Sequence, residues 1–405
     1  RFVMGEPEEQ LLFAVTPGPE KVNTYGLYEL GFEVRPEPSN PFDPESADIW
    51  GEISLPDGGT DRIPAFYYRP YQRQLLAAEE HLTPNGPGQW RVRYCPRIEG
   101  THVLNIEGTV EGRVVSAGPF EFTAEESEHP GFVRISEEQG RFFAFDNGEW
   151  FYPIGHNFRS PTDTRTARLL KEVTPPDTGT YKYDEVLPKM AQNGENSFEV
   201  WMASWFAEIE WTAEWKNYHG LGRYNLANAW RLDYVLELAR KHGLKVHLVI
   251  DNHGQISSFC DDEWKYSPYN ILNGGPIKLP EEFWSNRRVI EQYKKKLRYI
   301  IARWGYSPDI MGIEMISELD LTGSRHGTYK SPAVHRWHEE IATYINKLDI
   351  YDHLLTTHFS TKYTTIDFGL VRRDFIDYIV GDAYHSGESV VDLVLKTDAN
   401  IIFKG

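Results

Sequence analysis

The sequence predicts a multidomain chain: an immunoglobulin-like all-β sandwich at 1–124, a linker at 125–131, and an α/β unit of the (β/α)8 TIM-barrel class at 132–405. Three observations carry that expectation. Short alternating strands follow one another without a helix as far as residue 124, an acidic stretch ending in Pro-Gly comes next, and buried strands then alternate with amphipathic helices.

In LYELGFEV the residues Tyr28, Leu30, Phe32 and Val34 alternate with Glu29, Gly31 and Glu33, so one side of the strand is apolar. QWRVRYCP repeats the pattern, with Trp90, Val92 and Tyr94 against Arg91, Arg93 and Cys95. PDGGTD and IEGT supply turns, and GPFEFTA adds a further strand. Such strands bury their apolar sides by pairing into an antiparallel sandwich. No exposed aromatic row stands out in them, which predicts a packing role for this unit rather than sugar binding.

After the linker EESEHPG, the segments GFVRI, RFFAF, DNGE and WFYPIG predict a hairpin running into a first buried strand. NSFEVWM is the second strand. Behind it Trp230, Leu232, Val235, Leu236 and Ala239 recur at helical spacing until Gly243 ends the helix. KVHLVID is the third strand, and Ile290, Tyr293, Leu297, Ile300 and Trp304 mark the next helix. The basic run in EQYKKKLRY reads as the solvated face of that helix. MGIEMISELD, LLTTHFS, DYIVGDAYH and ANIIF complete seven strands in βα order, one short of a closed barrel.

Parallel barrels gather their chemistry at the C-terminal ends of the strands. There the sequence puts His156, Asn157 and Arg159 after strand one and Trp201, Trp205 and Trp211 after strand two. Asp251 and His253 follow strand three, and Ser317, Glu318 and Asp320 end strand four. His358 ends strand five, and Asp382, Tyr384 and His385 end strand six. Glu314, Glu318 and Asp320 share one parity, and burying acids is costly unless they are paired or at work, so they are expected to face a site. Glu314 is expected to tie the interior through an arginine or a backbone group, Asp251 to orient its loop, and His247 to be a satisfied core histidine.

Composition narrows the partners. A formal charge of −18 argues against nucleic acid and anionic membrane surfaces. No run approaches the ~18 apolar residues of a membrane span, and the start at Arg1 leads us to expect a processed or trimmed chain. Aromatic residues make up 14% of the chain, with 12 Trp, enough to furnish stacking faces for sugar-like ligands beyond the needs of a core. Cys95 and Cys260 form no disulfide framework. Asp251, His253, Asp261, Asp262, His358, Asp382 and His385 offer metal donors, but without His-x-His on strand one or HExxH neither a metal nor another cofactor is expected.

The run GIEMISE, after a helix ending YIIARWGYSPDI, resembles the fourth strand of the clan A glycoside hydrolases, the family 5-like (β/α)8 enzymes. FYPIGHNFR is similar to their first strand, DNH to their third and DAYH to their sixth. NPFDPESADIWGEISLPDGG with GQWRVRYCPRIEGTHVL resembles the immunoglobulin-like domain found in front of such hydrolases, so the resemblance spans nearly the whole chain.

That resemblance implies a retaining hydrolase of β-linked poly- or oligosaccharide, with carbohydrate as its partner and Glu318 as its general acid/base. It implies that His253 and Tyr384 match the family's His and Tyr, with Asp382 in place of a His and Ser317 in place of the Asn that bonds the sugar 2-hydroxyl. His253, Ser317, His358, Asp382 and Tyr384 are then substrate-orienting residues, Trp201 and Trp205 stack on sugar rings, and His156, Asn157 and Arg159 line the floor. The family nucleophile ends strand seven; ANIIFKG reaches Gly405 without it, so it is expected just after that residue. The alternative is a non-catalytic carbohydrate-binding protein on a decayed barrel, motivated by Ser317 and by the acid missing from ANIIFKG.

Overall fold

A computed structural model describes residues 12–162, 177–360 and 366–382. Strands Leu12–Thr16, Tyr28–Val34, Gln89–Tyr94 and Phe66–Tyr68 pair in that order into one sheet. Lys21–Asn23, Arg113–Glu125, Gly100–Val110, Ala47–Ser54 and Thr60–Pro64 form a second. Apart from the parallel contact of Lys21–Asn23 with Arg113–Glu125, these pairings are antiparallel. Leu30, Phe32, Trp90 and Val92 of the first sheet share an apolar core with Ile49, Ile53, Leu104 and Ile106 of the second, as period-two alternation requires.

A small antiparallel meander, Val133–Ile135, Phe143–Phe145 and Trp150–Phe151, precedes the α/β unit. There β1 (Gly155–His156), β2 (Ser197–Trp201), β3 (Lys245–Asn252), β4 (Ile310–Ser317) and β5 (Leu355–Thr356) form one parallel sheet in chain order. The segment LLTTHFS divides at Thr357: β5 pairs with β4, while β6 (His358–Phe359) pairs in parallel with β7 (Val380–Gly381). The seventh expected strand, ANIIF, lies outside the described residues.

Helices α1 (Thr180–Gln192), α2 (Leu226–His242), α3 (Arg287–Trp304) and α4 (Pro332–Leu348) run between the strands. The Asn225 side chain caps α2 by accepting from the backbone N–H groups of Ala227 and Asn228, and Gly243 ends it in the left-handed conformation. Val235, Leu236 and Ala239 of α2 are buried, as are Tyr293, Leu297, Ile300 and Trp304 of α3, on the faces their spacing predicts.

The charged side of the sandwich strand Gln89–Tyr94 meets protein, not water. Arg93 donates Nε to Glu29 (2.7 Å) and Nη1 to Asp233 of α2 (2.8 Å). Arg303 of α3 donates Nη2 to the same Asp233 carboxylate. Burial opposes the Asp233 charge, but the guanidinium groups of Arg303 and Arg93 outweigh it and hold the carboxyl well below its usual range. The two apolar cores also interpenetrate. Tyr351, from the segment after α4, joins the sandwich core, while Phe66 and Tyr68 of the sandwich join the α/β core.

A hairpin, Tyr71–Leu76 with Glu79–Pro84, reaches out of the sandwich onto α1 and α2. The Glu80 carboxylate accepts from Thr180 N (2.9 Å) at the start of α1 and from Arg231 Nε (2.6 Å) on α2. An acid suits that place, because the unpaired N–H groups of a helix start favour negative charge. Gly179, at φ 53, is required there, since a Cβ would fall 2.1 Å from Glu80 Oε2.

Candidate active site

Strand β4 carries the row of acids, but it does not keep one parity to the end. It stops at Ser317, and Glu318 takes the left-handed conformation (φ 54, ψ 49) before a single 3-10 turn, Leu319–Leu321. That kink separates the three acids. Glu314 stays within the sheet interior, fully buried, 3.2 Å from His247 Nε2 and 3.6 Å from His358 Nδ1. Histidine rings therefore face it, where an arginine or a backbone group was expected. Asp320 turns aside and accepts from Ser360 N (2.7 Å), tying the loop after β4 to the end of β6. Glu318 alone remains at the strand end, with 12% of its side chain exposed.

The partner of Glu318 comes from β3. After Asn252 the chain enters a 3-10 turn, in which the Asn252 side chain accepts from Gly254 N and Gln255 Oε1 accepts from Asn252 N. This turn buries His253 and places its Nδ1 2.7 Å from Glu318 Oε2. Its Nε2 lies 3.1 Å from Asp261 Oδ2. Burial disfavours charge on that ring, but Asp261, Cys260 and Glu318 outweigh it, and the His253 pKa is raised well above the ordinary value.

Below this pair lies a second layer. Ser317 Oγ is 3.1 Å from His358 Nδ1, and His358 Nε2 is 3.5 Å from Asp382. Burial works against the His358 charge, but Glu314 and Asp382 overcome it and push the ring up to about 9. An unfolded histidine titrates near ~6.5. The native state therefore keeps this proton longer, and its stabilising contribution is complete below pH ~6.5, declines above it, and is gone once pH passes about 9. The urea midpoint of the wild type should fall more steeply across that window than that of His358→Gln; parallel curves would contradict the assignment.

The second strand contributes Glu199, half-buried, which accepts a hydrogen bond from Trp201 Nε1. Burial and the nearby Glu314 push its carboxyl up to about 6. Glu199, His247 and Tyr378 line a cavity of about 1250 Å³ together with His156 and Asn157. Neither Glu318 nor His253 lines it. The register explains the separation: Gly155 and His156 of β1 pair with Ser197 and Phe198 at the start of β2, well below Trp201 at its end.

Other expected residues are also displaced from open contact. Trp201 is 2% exposed, with its indole N–H used by Glu199 and the Arg159 guanidinium 4.7 Å from its ring centroid, so the stacking face foreseen for it is covered. Trp205 is half-buried and donates Nε1 to Ser160 Oγ (3.0 Å). Tyr384 and His385 lie outside the described residues.

Sequence reasoning passed over the group that positions the His253 turn. Lys296 of α3, assigned with its neighbours to a solvated face, is 1% exposed. It donates to Glu208 (3.0 Å) and to Asp251 (2.9 Å). Gln255 of the His253 turn donates to the same Glu208 (3.0 Å). The signal was present: Lys296 lies three residues after Tyr293 and four before Ile300, on the buried stripe of α3.

No family model matches the sequence. A mannan endo-1,4-beta-mannosidase A of Podospora anserina is 29% identical over 126 residues, which are 31% of this chain and 30% of that protein. A mannan endo-1,4-beta-mannosidase F of Aspergillus clavatus is 27% identical over 137 residues, 34% of this chain and 28% of that one. The chain thus spans under a third of the length of these relatives. Among solved structures, a Bacteroides vulgatus ATCC 8482 protein assigned to the glycoside hydrolases superposes with a TM-score of 0.59. That match has 16% identity and covers 90% of this chain and 60% of the other, so it is a likeness of fold.

Proposed function

We propose that the chain is a retaining glycoside hydrolase of β-linked polysaccharide, with β-1,4-mannan as its substrate class and Glu318 as the acid that protonates the leaving oxygen. The observation that carries this reading is Glu318 at the C-terminal end of β4, 2.7 Å from a buried His253 whose other nitrogen faces Asp261. A carboxyl group held by one oxygen keeps the other for the leaving group. The similarity to mannan endo-1,4-beta-mannosidases supports the substrate class.

In this reading residues 132–405 form a (β/α)8 barrel and residues 1–124 an immunoglobulin-like domain packed against it. On the same reading Ser317, His358 and Asp382 orient Glu318 and the sugar from below. A retaining reaction needs a second carboxylate about 5–5.5 Å from the first, which attacks the anomeric carbon while Glu318 gives up its proton. It is expected at the end of the strand foreseen for ANIIF, outside the described residues.

The test is to incubate the full-length protein with β-1,4-mannan and manno-oligosaccharides and to follow new reducing ends by their anomeric proton signals. Products released first in the β configuration are the expected result. Release of α products would overturn retention, and no release from β-1,4-linked mannan, glucan or xylan would overturn the hydrolase reading.

A further inference from the structure

The loop after β3 brings together three side chains that the proposed hydrolysis leaves only partly used. A ring nitrogen of His253, the thiol sulfur of Cys260 and a carboxylate oxygen of Asp261 all lie within 4.8 Å of one another. The nitrogen facing this group is Nε2, 3.1 Å from Asp261 Oδ2, because Nδ1 is turned to Glu318. The loop is held in shape from both sides. Ser257 Oγ accepts from Cys260 N (3.1 Å), Ser258 N donates to Gly323 O (2.9 Å), and Asp261 is fixed in the left-handed conformation at φ 48. His253 is buried, while Cys260 and Asp261 are half-buried, so the group has a rigid base and an approach from solvent. Cys95, the other cysteine of the chain, is wholly buried in the sandwich core.

We propose that His253, Cys260 and Asp261 form a binding site for a soft or borderline divalent cation of the zinc and cadmium type. One imidazole nitrogen, one thiolate and one carboxylate are the donors such ions select, and the small separation of the donor atoms suits ligand bonds of about 2.0–2.3 Å after a modest contraction. Magnesium and calcium, which take shells of oxygen, are disfavoured by the sulfur. As the ion enters, the Nε2 proton and the thiol proton leave to solvent, and the Nδ1 side of the ring stays toward Glu318. Three protein donors leave a fourth position open to water. The site does not depend on the hydrolase reading, and its test does not read hydrolysis.

Cadmium titrated into the full-length protein should raise a thiolate-to-metal charge-transfer absorbance that saturates at a single equivalent. Cys260→Ser should abolish that absorbance. Asp261→Asn should keep it but weaken zinc, measured against a chromogenic chelator, by about tenfold or more. Excess magnesium should displace neither ion. Absence of the absorbance in the wild type overturns the site, as does a Cys260→Ser protein with unchanged stoichiometry and affinity. An Asp261→Asn protein that binds zinc as the wild type does overturns the three-donor assignment.

Discussion

Glu318→Gln is expected to lower kcat on an unactivated β-linked oligosaccharide by about 10²- to 10⁴-fold, the range supplied by a positioned proton donor. The amide keeps the shape of the side chain at the end of β4 but has no acidic proton to give. Substrate contacts elsewhere on the rim are untouched, so KM should move far less than kcat. The diagnostic comparison uses an aryl glycoside whose leaving group needs no protonation. There the loss should shrink sharply, whereas a residue that merely holds the fold would cost both substrates alike. Equal losses on the two substrates, or an unchanged rate on the first, would remove Glu318 from the role of acid.

The second large effect belongs to a residue that touches no substrate. Lys296→Met should destabilise the protein by about 3–5 kcal/mol near neutral pH, the cost of breaking a buried ion pair from one side. Glu208 and Asp251 would be left facing each other in the interior without their counter-charge. Burial, only partly offset by Lys296, already pushes the Glu208 carboxyl up to about 7. Removing the lysine raises the Glu208 carboxyl further. A raised acid pKa favours the folded state at low pH, so the variant should recover part of its stability as pH falls toward 5. Chemical denaturation at two pH values checks both statements, and a variant within about 0.5 kcal/mol of wild type would show the network to be dispensable. Because Glu208 also holds Gln255, the variant should loosen the turn that carries His253.

The order of strands and helices was legible because it rests on periodicity, which a single sequence displays directly. Glu318 and His253 were legible for a related reason, since polar residues at the ends of buried strands stand out against their neighbours. What periodicity does not carry is how far each strand extends against the next. Trp201 was placed on the rim as a stacking surface, but β2 continues through it, and its indole is held inside by Glu199 and Arg159. His156 was placed at the same height as Trp201, and the short register of β1 drops it to the start of β2. Asp320 was grouped with Glu318 by parity, and one left-handed residue at Glu318 ended the parity. Lys296 was misjudged by its charge, although its spacing from Tyr293 and Ile300 puts it on the buried stripe of α3. The meeting of Cys260 and Asp261 with His253 depends on a loop whose path no residue spacing gives.

The interlocking of the two cores has a consequence for how this chain can be cut. In sequence, 125–131 looks like a seam where a modular piece could be detached. In free energy no seam lies there. A fragment beginning at residue 132 would carry Asp233 and Arg303 without Arg93, and an α/β core without Phe66 and Tyr68. The sandwich alone would lose Tyr351 from its interior, together with the Tyr351 hydroxyl that accepts from Cys95 N (2.8 Å). The sandwich is thus not a portable cassette. It behaves as an outer wall of the α/β unit, and the two are expected to melt, and to have been selected, as one cooperative body.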